Sequence, residues 1–293
     1  MSASTPEAAA LQVAARHGLP VERPVVLKDD CNLVMHLAPA PVVVRVATLT
    51  AEVRGPAIRA FLEREVEVVA HLGAQGAPAV APADLLPAGP HEHEGHLMVF
   101  WRWVDHDPDR PVEAAVIGHA LRDLHAALRD CPVSLPVFDP LAEAERILER
   151  LAAAETYAPA DLAPLRQDAE RLTGARERML AAPAQTLHGD AHRGNLLRTP
   201  SGLLWTDFEE TMHGPVEWDL ACLVGSSRTW GPVSPEAEAA LAAYGPHDPA
   251  LLAALVELRV LLVAAWALEM GARNPRDRDR ALARLDWWRA QTR

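Results

Sequence analysis

Residues 187–210, LHGDAHRGNLLRTPSGLLWTDFEE, gather His188, Asp190, His192, Arg193 and Asn195 in one short polar segment and follow it with two apolar runs that end at Asp207. Pro200-Ser201-Gly202 separates the runs, so they read as a two-stranded hairpin interrupting helical sequence on either side. His188 and His192 are four apart, as two metal ligands on one helix face would be. Gly189 and Gly194 argue against a helix there, and no HExxH glutamate accompanies them, so zinc is disfavoured. Phosphoryl transfer fits better, because it needs a carboxylate to take the proton of an attacking hydroxyl and oxygen ligands for Mg²⁺ beside the nucleotide phosphates. Asp190 can be that base, Asn195 one metal ligand and Asp207 a second, with the hairpin bringing the last two beside a single ion. Each residue alone reads as well as a turn cap or a strand end; the combination carries the expectation.

Upstream, VVLKD, CNLVMHLA and PVVVRVAT are short β-branched runs separated by Asp29-Asp30 and by Pro39 to Pro41, which predicts an antiparallel meander. Thr5-Pro6 opens an Ala-rich helix before it, closed by Gly18. A second helix is expected from Gly55-Pro56 to Gly73, then strands near 79–86 and 96–104 with the polar loop PAGPHEHEGH between them. In PVVVRVAT the only charge is Arg45. On the helix after Pro56, Ile58, Phe61, Leu62, Val69 and Leu72 mark an apolar stripe that contains Glu65. A carboxylate on a buried face is costly unless paired, and Arg45 is the natural partner. The competing reading is a surface glutamate on a rotated helix, beside Glu63 and Glu67. HEHEGH looks metal-binding but lies in a loop bounded by Pro and Gly, where a solvated hairpin tip is the plainer reading.

From Asp105 onward helical periodicity replaces alternation. The chain therefore divides near residue 104 into a β-rich N-terminal lobe, 1–104, and a mostly helical C-terminal lobe, 105–293, an α+β bilobal layout. Twenty-eight basic against 40 acidic residues give a net charge of −12, which disfavours nucleic acid and anionic membranes as partners. Three cysteines far apart, Cys31, Cys131 and Cys222, suggest neither a disulfide framework nor a thiolate metal site. Neither a leader peptide nor an uninterrupted apolar span stands out, so a cytoplasmic protein, monomeric or homodimeric, is expected.

HGDAHRGN followed by TDFEE and then by EWDLA resembles the aminoglycoside phosphotransferase and choline kinase group, enzymes with a protein-kinase-like fold that phosphorylate small molecules. The resemblance runs through most of the chain and implies a small antiparallel β-rich N-lobe and a larger helical C-lobe. It implies ATP, or GTP, with Mg²⁺ as cofactors, Asp190 as catalytic base, and Asn195 and Asp207 as metal ligands. Arg45, where kinases more often have Lys, is implied to bind nucleotide phosphate with Glu65. Asp219 of EWDLA supports the catalytic loop. HLMVFWRWVDHDP is similar to the strand and linker joining the lobes, with Trp101 and Trp103 at the adenine by backbone contact or packing as hinge residues. His192 or Arg193 stabilises the γ-phosphoryl charge. His125 packs or hydrogen-bonds from the helix LRDLHAAL, and the glycine-rich phosphate loop is missing from DDCNLVMHLAPAP.

The expected function is an O-phosphotransferase acting on a small hydroxyl compound: an aminoglycoside, another antibiotic, an amino alcohol or a sugar. Glu209, Glu210, Glu217, Glu257 and Glu269, with the negative net charge, favour a cationic acceptor. A protein kinase is disfavoured because no APE-type segment follows TDFEE, and a nucleotide-sensing pseudokinase because Asp190, Asn195 and Asp207 occur together.

Overall fold

Thr5 accepts a hydrogen bond from the Ala8 N–H and Pro6 sits in the first turn, so helix α1 (Pro6–Arg16) starts with both signals of an N-terminus. Strands β1 (Val21–Asp29), β2 (Asn32–Pro39) and β3 (Val42–Ala47) follow as an antiparallel meander. Alternation sorts their faces: Leu33, Met35, Leu37, Val42, Val44 and Val46 are buried against Ala9, Ala10 and Val13 of α1. The structure, a computed structural model, describes residues 4–87, 89–228 and 234–291. A short helix α2 (Leu49–Arg54) and a 3₁₀ turn, Gly55–Ala57, precede α3 (Ile58–Ala74), whose buried residues Ile58, Leu62 and Val66 pack with Val99.

The expected strand near 79–86 is absent: Ala79 and Pro82 make only isolated bridges, to Trp205 and Trp101. Pro78 and Pro82 carry no N–H to extend a ladder. The sheet is completed instead by β4 (His91–His93) and β5 (His96–Arg102), in the order β1-β2-β3-β5-β4. His93 pairs with His96, leaving Glu94-Gly95 as a two-residue turn with φ of 48° and 82°. HEHEGH is thus a hairpin, with its histidines on the strands.

The chain forms two compact units, neither a single stretch of sequence. The first comprises Met1–Pro111, Asp130–Leu135 and Gly194–Thr211, and so takes in the hairpin β7 (Leu196–Thr199) and β8 (Gly202–Trp205) along with the five-stranded sheet. The second comprises Val112–Arg129, Pro136–Arg193 and Met212–Arg293. It contains α4 (Ala114–Leu128), α5 (Pro140–Ala153), α6 (Pro159–Arg171), α7 (Thr173–Ala181), α8 (Val216–Arg228), α9 (Pro235–Tyr244), α10 (Pro249–Arg273) and α11 (Pro275–Gln291), with the small pair β6 (Gln185–Leu187) and β9 (Met212–Gly214). Helix α4 approaches α9 so closely that a Cβ at Gly118 would lie 2.0 Å from the Ala240 carbonyl oxygen. Helix α10 is long and apolar enough to cross a membrane by length and composition, but 67% of that window is buried within the protein. It is the central core helix of the second unit, buried through Leu255, Leu258, Leu261, Leu262 and Ala265.

Candidate active site

In the first unit, β3 carries Arg45 into a set of carboxylates. Arg45 is 5% exposed, and its guanidinium donates from Nη2 to Glu65 of α3 and from Nη1 to both Glu209 and Asp207, the latter at 3.1 Å. Glu209 is held from two further sides: it accepts from Asn32 Nδ2 at 2.7 Å and from Arg54 Nη1 at 3.3 Å. Thr50 Oγ1 in turn donates to Asn32 Oδ1 at 2.5 Å, and Arg54 also pairs with Glu210 while lying 4.0 Å over the Phe61 ring. Two guanidinium groups thus face four carboxylates. Burial pushes Glu65 up to about 8, overcoming the pull of Arg45, with the neighbouring carboxylates adding to the rise. Burial acts against Glu209 in the same sense, yet Arg45, Arg54 and the Asn32 amide hold it below its ordinary value. Arg45 stays cationic, since Glu65 and Glu209 outweigh its burial. Glu65 is therefore the carboxylate most ready to take a proton, and its Oε1 has no hydrogen-bond partner among the described residues.

The hairpin positions the oxygen donors. Leu196 pairs with Trp205, and the Thr206 N–H donates to the Asn195 carbonyl at 3.0 Å, which puts Asn195 across from Thr206 and one residue from Asp207. Asp207 adopts a left-handed φ of 64°, a conformation that Asp tolerates better than most residues, and keeps 35% of its side chain exposed. Both residues line a cavity of about 260 Å³ together with Arg45, Lys28, Trp101 and Trp103. Trp103 stacks on His36 at 3.9 Å and 5°. Its N–H donates to the Pro41 carbonyl at 2.8 Å, so the main-chain donor at this position is already engaged. A carboxylate and an amide oxygen suit Mg²⁺, which takes one or two protein ligands and completes its shell with phosphate oxygens and water. No cluster of three or more His, Cys, Asp or Glu side chains suited to a metal occurs among the described residues.

In the second unit, Gly189, at a φ of 87°, turns the chain after β6. Asp219 of α8, fully buried, accepts the N–H groups of His188 at 2.9 Å and Gly189 at 2.8 Å, while Trp218 Nε1 donates to the Gly189 carbonyl at 2.8 Å. Asp219 is oriented by His125 Nε2 at 2.9 Å, whose Nδ1 meets the Tyr244 hydroxyl at 2.8 Å. Burial pushes Tyr244 up to about 12, so its hydroxyl stays protonated.

This bracing presents Asp190. Its carboxylate forms an ion pair with Arg259 of α10 and lies 3.5 Å from His192 Nε2, with 22% of the side chain exposed. Burial alone would raise its pKa, but Arg259 and then His192 hold it well below the usual carboxylate range. Arg193 is exposed in the 3₁₀ turn Arg193–Asn195, and its charge reaches Glu236. The structure thus groups Arg45, Glu65, Trp101, Trp103, Asn195 and Asp207 in the first unit and Asp190, His192 and Arg193 in the second.

Sequence reasoning passed over Arg54, Asn32 and Arg259. Arg259 carried a usable signal: with Glu257 it interrupts an otherwise apolar run, as Glu65 interrupts the stripe of α3. The five acidic residues expected to favour a cationic acceptor are all engaged elsewhere. Glu209 and Glu210 pair with Arg54, Glu217 accepts the Asp248 N–H, Glu257 pairs with Arg171, and Glu269 with Arg150 and Arg273.

Residues 39–255 match the model of a phosphotransferase enzyme family. Among solved structures, a choline/ethanolamine kinase family protein from Mesorhizobium loti is 22% identical with a TM-score of 0.65, covering 96% of this chain and 94% of its own. An amicoumacin kinase in complex with AMP-PNP, Ca²⁺ and its antibiotic is 15% identical with a TM-score of 0.69, covering 96% and 93%. An aminoglycoside phosphotransferase from Streptomyces rimosus is 22% identical with a TM-score of 0.59, covering 85% and 96%.

Proposed function

The chain belongs to the phosphotransferase enzyme family, and on that premise we propose that it transfers the γ-phosphoryl group of ATP, with Mg²⁺, to a hydroxyl of a small molecule. The observation that carries this reading is the cavity of the first unit, where a buried Arg45 held by Glu65 lies with Asn195 and Asp207. Arg45 binds nucleotide phosphate, and Glu65 fixes its planar fork. Asn195 and Asp207 hold the metal, which when bound neutralises charge on the phosphate oxygens. Trp101 and Trp103 form apolar walls for the base, and GTP is the alternative donor.

Asp190 is the catalytic base. The acceptor oxygen attacks the γ-phosphorus, the bond from that phosphorus to the β–γ bridging oxygen breaks, and ADP leaves with the electron pair. The hydroxyl proton passes to Asp190. His192 and Arg193 supply positive charge to the transferring group. The AMP-PNP and Ca²⁺ of the amicoumacin kinase complex support a nucleotide with a divalent cation. A non-catalytic nucleotide sensor is the less favoured reading, since it gives no reason to keep base and both ligands.

The test is Mg²⁺-dependent phosphorylation of a hydroxyl compound by wild type and by Asp190→Ala. Loss of about 10²- to 10⁴-fold in turnover is expected, with nucleotide binding retained. Equal rates would remove Asp190 from the chemistry.

A further inference from the structure

The ion pair between Asp190 and Arg259 bears on the acceptor. A general base clamped by a guanidinium is a weak proton acceptor, and the clamp comes from α10, outside the loop that carries the base. Positive charge continues beyond it. Arg284 of α11 lies in the field of both Arg259 and Arg280. Burial first, then those two charges, lower Arg284 to about 10. In a chain of net charge −12 this is a local gathering of arginines. Three of the acidic residues expected to receive a cation, Glu217, Glu257 and Glu269, are paired or capped.

We infer that Arg259 recognises the acceptor, and that the acceptor is an anionic hydroxyl compound, a carboxylate or a phosphate ester, whose charged group takes the guanidinium from Asp190. The inference rests on the kinase reading above. A planar fork suits either anion, and it is already partly desolvated: the Arg259 side chain is 14% exposed and its Cγ packs where a Cβ at Gly225 would meet it at 3.2 Å. When the anion draws Arg259 away, the Asp190 carboxylate regains basicity as the hydroxyl arrives. A neutral or cationic acceptor leaves the clamp closed, and a cationic one is also repelled by Arg259. Specificity thus comes from coupling the charge of the substrate to the strength of the base.

The experiment compares kcat/KM across hydroxycarboxylates, phosphorylated polyols, neutral polyols, amino alcohols and aminoglycosides, with product mass as readout, in wild type, Arg259→Met and Arg259→Lys. Anionic acceptors are expected to exceed neutral ones by at least tenfold in wild type, and whether carboxylates or phosphate esters lead identifies the anion. That ratio should collapse in Arg259→Met and partly return in Arg259→Lys. A cationic or neutral best acceptor overturns the inference, as does an unchanged ratio in Arg259→Met. So does a wild type that hydrolyses ATP through Asp190 yet responds to no anionic compound. If nucleotide is neither bound nor turned over, the kinase reading itself fails.

Discussion

At the scale of single residues, opposite forces act on two buried carboxyls. Glu65 is pushed up by burial among other carboxylates, while Asp190 is pulled down by Arg259 against its burial. The Asp190 pair has a pH signature. Its folded pKa lies below the unfolded value of about 3.9, so the stabilisation is complete above that pH and fades as pH falls toward the folded value. Arg259→Met should therefore cost about 1–3 kcal/mol at pH 7, as expected for a charged hydrogen bond. The gap from wild type, measured by denaturant unfolding, should shrink below about pH 4; a gap that widens in acid would contradict the assignment. On the other side, Arg45→Ala removes the only cation among the described residues that touches Glu65, Asp207 and Glu209 together. It should weaken ATP binding by at least tenfold in calorimetry, whereas Asp190→Asn should leave that affinity within about threefold.

At the scale of elements, the loop before the hairpin has little regular structure of its own and is held by α8 and α4. Asp219 accepts two loop N–H groups, and the His125 ring with the Tyr244 hydroxyl holds that carboxylate in place. Asp219→Ala removes the acceptor shared by three buried donors, two loop N–H groups and the His125 ring, at about 1–3 kcal/mol each. A loss of roughly 3–9 kcal/mol in unfolding free energy is expected from those three donors, and a loss under 1 kcal/mol would show that the loop is braced elsewhere. Tyr244→Phe removes only the outer link. It should lower kcat a fewfold while leaving nucleotide affinity alone, because the bracing acts on the loop that carries the base.

At the scale of the whole molecule, nucleotide and metal should stabilise the fold by mass action. With the ATP analogue AMP-PNP and Mg²⁺ at about 100 times the dissociation constant, the gain is about 2.7 kcal/mol, or roughly 5–11 °C in Tm. Chelating the metal should remove most of that shift, and Arg45→Ala, by weakening binding at least tenfold, should cut it by about half or more. A full shift in the variant would place the phosphates away from Arg45.

Order and spacing along the chain were enough to read the β-meander, the stripe that buries Glu65, the hairpin joining Asn195 to Asp207, and the change to helices after residue 105. These follow from local periodicity and turn chemistry, which the sequence by itself determined. The failed strand near 79–86 was legible too, in Pro78 and Pro82, but the apolar residues between them dominated the reading. What only the tertiary structure decided is which charges meet. Arg45 reaches Glu209 across 164 positions and Arg259 reaches Asp190 across 69. The same folding spends Glu217, Glu257 and Glu269 on an N–H group and on arginines, and sets Arg259 at the base. Net charge and composition sum over the chain, whereas Coulomb attraction falls with distance and strengthens with burial, so the sign at a site depends on packing that no local pattern encodes.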